Sequence, residues 1–315
     1  MRFRHARIGF ALVILVGVAV GVTANEPLRV IATTTIVGDV VGSIAGDHIA
    51  LRVLLPLDAD PHAFQPTPSD VIAVSRADIV FLSGAGLEHE LDPILSDASG
   101  AVIDLSLGLA LRAIEGGADA EGGQHATGTE HGGGEPNVSG YDPHVWFDPA
   151  NIILWADAIE EALSDLDPAN AATYSANAVA YRHALADLDR WIQEQVETIP
   201  PDGRLLVTDH LSFGYFAARY GFDQVGAVFP GFSSLAEPSA REMAELIETI
   251  GGLGVRAIFV GTTANPDLAE AIAADAGVDV VVLYTGSLSV PTGPASTYLD
   301  MMRYNVNAIV NALAE

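Results

Sequence analysis

Apolar and polar positions follow two alternating periods along this chain. Short apolar runs bounded by turn residues read as buried strands. Between them lie stretches with apolar positions three and four apart, which read as helices. Strands are predicted over 29–34, 50–57, 78–83 and 101–105, with helical spacing over 36–45, 68–75 and 87–95. Ser69 or Asp70 is the expected cap of the second of these helices. A helix over 151–166 comes next, then a longer helical pattern over 168–199. Its apolar set is Tyr174, Val179, Tyr181, Leu185, Leu188, Trp191, Ile192 and Val196. A helix of ~30 residues spans about 45 Å, enough to join two lobes.

A second strand–helix series then begins. Strands are predicted over 204–208, 223–229, 257–260 and 278–284, and helices over 213–220, 239–250, 265–276 and 298–313. Gly221 is placed as a C-terminal helix stop. Strands alternating with helices argue for an α/β fold. We expect two lobes, each a mostly parallel sheet flanked by helices, joined by one long backbone helix. The predicted divisions are an N-terminal lobe over 25–166, the linking helix over 167–199 and a C-terminal lobe over 200–315.

Two segments depart from this pattern. Residues 115–140 are rich in Gly, Glu, Asp and Thr, carry His125 and His131, and keep no apolar period. They read as a mobile loop. Residues 1–24 read as a signal peptide: Arg2, Arg4 and Arg7 precede an apolar run over 8–22, and cleavage is expected after about Ala24. That run falls short of the ~20 residues a membrane-spanning helix needs, with an uncleaved anchor as the alternative.

Composition narrows the function. Acidic residues outnumber basic ones 41 to 14, giving a net charge of −27. Nucleic acid is not an expected partner, because the basic footprint is missing. There is no cysteine. Disulfides and thiolate zinc sites are excluded, and so is a lipid carried on an N-terminal cysteine. The expectation drawn from this is a free periplasmic monomer with no lipid anchor.

Three of the nine histidines sit in short motifs near predicted strand ends. They are His62 in Asp60-Pro61-His62, His144 in Asp142-Pro143-His144-Val145-Trp146-Phe147-Asp148-Pro149, and His210 in Thr208-Asp209-His210. Loops at strand ends converge on one crevice in open α/β sheets. Neutral imidazole is a good zinc ligand. Read on spacing alone, these motifs leave open a metal site or three separately hydrogen-bonded histidines. Asp142, Asp148 and Asp209 are candidate partners for the imidazole N–H groups, and Trp146 and Tyr284 are expected to pack near the cleft.

The motifs resemble those of the metal-binding solute receptors of ABC transporters, the cluster A-I family, zinc type. Pro66-Thr67-Pro68-Ser69-Asp70 extends the first match, Phe213-Gly214-Tyr215-Phe216 the third, and Tyr298-Leu299-Asp300-Met301-Met302 adds another. The resemblance covers nearly the whole chain after the leader. It implies a receptor that captures Zn²⁺ between two lobes, with His62, His144 and His210 as ligands. It also implies delivery to an ABC transporter membrane permease, with a periplasmic zinc metallochaperone as a further candidate partner. His125 and His131 are candidates for loop capture of zinc. Many relatives carry Asp where this chain has Gly286, and some carry Glu where it has Gly261. The fourth ligand is therefore expected to be water or a carboxylate from elsewhere. The alternatives are a manganese receptor of the same family and, in a different class, a zinc-dependent hydrolase. The latter lacks a His-Glu-x-x-His helix.

Overall fold

The computed structural model describes residues 26–114, 140–232 and 237–314. The expected signal peptide, His125 and His131 lie outside the described residues. The first lobe runs β1 (Leu28–Ala32), α1 (Thr35–Ala45), β2 (Ile49–Val53), α2 (Pro68–Ser75), β3 (Ile79–Leu82), α3 (Asp92–Leu95) and β4 (Ala101–Asp104). Two long helices follow, α4 (Pro149–Leu166) and α5 (Ala171–Val196). The second lobe runs β5 (Leu205–Thr208), α6 (Gly214–Tyr220), β6 (Asp223–Ala227), α7 (Ala240–Leu253), β7 (Ala257–Gly261), α8 (Asp267–Ala276), β8 (Asp279–Leu283) and α9 (Tyr298–Leu313).

Each lobe holds one four-stranded sheet with parallel pairing throughout. The orders are β2-β1-β3-β4 and β6-β5-β7-β8. The same strand permutation occurs twice. In each sheet the order reverses between the first and third strands, and ligands of open α/β sheets bind at such a switch point.

Strand alternation divides the core. Val30 and Ala32 face a large shared cluster, while Ile31 between them joins a small outer one. In β7, Ala257 and Phe259 face the shared cluster, and Ile258 and Val260 the outer core of the second sheet. This is the period of two expected of a strand buried on both faces. The shared cluster runs from Val37 and Ile44 of α1, through Leu185 and Ile192 of α5, to Met301 and Val306 of α9. One continuous apolar core therefore holds the two strand-end edges opposite each other.

Helix α5 has 26 residues, or about 39 Å. Its buried face is Tyr174, Ala178, Tyr181, Leu185, Leu188, Ile192 and Val196. Val179, expected in that face, is exposed instead; Ala178 takes the inward place. Trp191 is partly buried, with Arg303 over its ring at 5.0 Å.

Two other local expectations are corrected. The helix expected over 87–95 shrinks to Asp92–Leu95. Gly84, Ala85 and Gly86 all take positive φ, which breaks the chain direction just before it. The cap of α2 is Thr67 rather than Ser69 or Asp70. Asp70 instead turns back, accepting the Thr67 N–H at 2.8 Å and its hydroxyl at 2.7 Å.

Candidate metal centre

His62 and His144 are each third in an Asp-Pro-His sequence, and the two turns are built alike. Asp60 accepts the His62 backbone N–H at 2.9 Å, and Asp142 accepts that of His144 at 3.0 Å. Asp and Asn side chains form such turns by mimicking a backbone carbonyl. His210 follows β5, a strand flanking the switch point of the second sheet. Its N–H goes to Asp209 at 2.7 Å, and its carbonyl accepts the Thr208 hydroxyl at 2.5 Å.

The three rings meet. His144 Nε2 lies 3.2 Å from His62 Nε2 and 3.1 Å from His210 Nε2. One ligand atom from each lies within 4.8 Å of the others, and no Asp or Glu joins them among the described residues. His144 and His210 are buried, and His62 is half-buried. Aromatic packing holds the loops together. Phe147, beside the His144 turn, stacks on Phe213, beside His210, at 4.3 Å between centroids.

Two carboxylates orient the rings. His144 Nδ1 lies 2.8 Å from Asp142 Oδ1. His210 Nδ1 lies 2.9 Å from Asp209 Oδ1, in an electrostatic contact too poorly directed to be a hydrogen bond. An acceptor beside Nδ1 places the ring proton there and turns the Nε2 lone pair outward. With the His144 proton on Nδ1, its Nε2 lone pair faces the Nε2 atoms of the other two rings, at 3.2 and 3.1 Å. Tetrahedral zinc with Zn–N near 2.0–2.1 Å separates its ligand nitrogens by about 3.4 Å. The donor set and its spacing fit such an ion.

Electrostatics keep His62 and His144 neutral. Burial and the two neighbouring rings push His62 down to about 3. Burial and His210 hold His144 well below the ordinary histidine value. Burial pushes the Asp142 carboxyl up to about 7, against the His144 N–H that opposes the shift. Burial also raises Asp209, but contact with His210 and the Gly261 N–H bring it below the usual carboxylate range.

The histidines share a small cavity of about 10 Å³. Pro61, Trp146, Thr263, Thr285 and Gly286 are among its other walls. Thr263 and Thr285 were not singled out in the sequence. A hydroxyl next to the substituted Gly286 was the available signal. Asp148, expected as an imidazole partner, instead caps α4 through Ala150 N–H at 2.8 Å and pairs with Arg219 at 3.2 Å. Tyr284 packs edge-on against Tyr304, away from the cavity lining.

The fold and its buried crevice are those of a solute receptor, not of an enzyme, so the hydrolase alternative falls. The chain belongs to the family described as ZnuA, zinc-uptake complex component A periplasmic, whose model matches residues 30–312. It is similar to the manganese-binding lipoprotein MntA of Halalkalibacterium halodurans, with 31% identity over 293 residues, 92% of this chain and 90% of that protein. It is similar to the metal ABC transporter substrate-binding lipoprotein SloC of Streptococcus mutans, with 27% identity over 294 residues, 93% of this chain and 92% of that protein. Among solved structures, the periplasmic zinc binding protein TroA from Treponema pallidum superposes with a TM-score of 0.78 at 27% identity. That match covers 92% of this chain and all of TroA.

These relatives correct the expectation of a free periplasmic species without a lipid anchor. MntA and SloC are both named lipoproteins, so relatives of this chain are lipid-bearing. The absence of cysteine rules out only acylation of a thiol on this chain.

Proposed function

We propose that this protein captures Zn²⁺ through His62, His144 and His210 and hands it to the membrane permease of an ABC importer. The observation that carries this reading is the convergence of three Nε2 atoms, with contacts of 3.1 and 3.2 Å. Their Nδ1 atoms are turned away toward Asp142 and Asp209 in two of the three. An all-imidazole set suits zinc, whereas manganese favours carboxylate and water oxygens. The relative named as manganese-binding keeps manganese as the second candidate. Against it stands the lack of any carboxylate within the cluster among the described residues. No bond is made or broken in this role. Release requires only that the nitrogens let go, and acid favours it because protons compete for the same lone pairs.

The test is metal analysis of the purified full chain, followed by competition between zinc and manganese at equal concentration. One zinc per chain, not displaced by manganese, is the expected result. Retention of manganese in preference to zinc would transfer the assignment to the second metal.

A further inference from the structure

Thr285 follows β8 and lines the same cavity as the three imidazoles. The residue is 3% exposed, and its hydroxyl has no hydrogen-bond partner among the described residues. Buried hydroxyls nearly always have a partner, and one without it calls for an explanation in a ligand or a water. The packing around it explains how it came to stand there. A Cβ added to Gly261 would lie 2.1 Å from Thr285 Oγ1, so Thr285 fills the room that a side chain at 261 would need. A Cβ added to Gly286 would lie 2.9 Å from Pro61 Cδ. Neither strand end can carry a carboxylate in this packing. Thr285 also does not drift. Its carbonyl accepts the Trp146 indole N–H at 3.0 Å, and that indole stands edge-on to His144 with centroids 5.3 Å apart.

We propose that Thr285 is a positioning residue of the metal site, whose hydroxyl holds the water that serves zinc as its fourth ligand. The inference rests on the zinc reading of the three histidines. Zinc favours four ligands in a tetrahedron, and water is a common fourth where the protein supplies three. Water bound to zinc becomes a stronger hydrogen-bond donor, because the ion draws electron density from its oxygen. A threonine hydroxyl can accept from it without adding charge. The site then keeps the full double charge of zinc on three neutral nitrogens and a neutral oxygen. A small monodentate anion such as azide can take the place of that water.

The experiment uses the full chain as wild type, Thr285→Val, Thr285→Ala, Thr285→Ser and His210→Ala. Zinc affinity is read by chelator competition, and the cobalt-substituted protein by its visible absorption with and without azide. Removing the hydroxyl in Thr285→Val should weaken zinc 10–100-fold, the range seen when an outer partner of a ligand is lost. It should also alter the cobalt spectrum and its response to azide. Thr285→Ala repeats the test should the valine variant not fold. Thr285→Ser should restore both affinity and spectrum. Wild-type affinity and spectrum in Thr285→Val and Thr285→Ala would overturn the assignment. So would an equal loss in Thr285→Ser, which would make side-chain volume the cause. If His210→Ala binds zinc as wild type does, the three-histidine centre itself fails, and the role of Thr285 with it.

Discussion

The indole N–H of Trp146 reaches the carbonyl of Thr285 across 139 residues of sequence. Tyr298 ties down the other side of the same residue, its hydroxyl donating to the Trp146 carbonyl at 2.8 Å. One buried aromatic thus joins the His144 turn of the first lobe to β8 and α9 of the second. An ion entering beside His144 would change the field on this ring. We expect zinc to shift the intrinsic fluorescence, and Trp146→Phe to remove most of that response. Trp191→Phe, on α5 away from the cavity, should leave it. A fluorescence titration checks both, and an undiminished signal in Trp146→Phe would contradict the placement.

Loss of one imidazole should be severe. His210→Ala removes a lone pair that no other described side chain can replace. Zinc affinity should fall by more than ~100-fold, beyond the range for outer partners. His183→Ala, on the exposed face of α5, should bind as wild type. Calorimetric or chelator titration distinguishes the two.

The support beneath His144 should matter as well. Asp142→Asn replaces the carboxylate at Nδ1 by a neutral amide and should weaken zinc about 10–100-fold. Gly214→Ala should act on the same group without touching a ligand. A Cβ there would meet Asp142 Oδ2 at 2.5 Å and force the carboxylate aside. Weakened binding in both, with little change in the melting temperature of Asp142→Asn, is the expected pattern. Full affinity in Gly214→Ala would mean that Asp142 can move freely.

Glu88 sets a pH dependence through its own burial. Its carboxylate accepts from Thr33 Oγ1 and Ser83 N–H, each at 2.7 Å, and from Gly84 N–H at 3.0 Å. Burial nonetheless pushes it up from 4.5 to about 7. The folded state therefore holds this proton more tightly than the unfolded chain does. Its contribution is fully present below about pH 4.5 and is lost as pH rises through 7. The shift corresponds to about 3 kcal/mol. Glu88→Gln should lose that slope. Denaturant unfolding of metal-free protein at pH 4.5, 6 and 8 measures it, and parallel curves for the two proteins would refute the shift.

Much of this was readable from local pattern. Apolar periods gave the strands and helices, because a side chain's burial repeats with the geometry of its own element. Asp-Pro-His also announced its turns, since Asp takes the N–H two residues on. Where a distant neighbour decided the outcome, the pattern misled. Val179 keeps an apolar character on an exposed face. Asp148 looked like an imidazole partner but faces Arg219 and the α4 N-terminus. Gly261 and Gly286 read as lost ligands. Their meaning lies in Thr285 and Pro61, which fill the space beside them.

The sequence alone determined the alternation of strand and helix, the parallel architecture and the three histidine motifs. Each depends on interactions within a few residues of chain. Only the tertiary structure decided that His62, His144 and His210, separated by 82 and 66 residues, bring their Nε2 atoms into contact. It also decided that Thr285 fills the space beside Gly261. Those distances are set by two sheets packed on one shared core, and no local rule specifies how far apart their strand ends will lie.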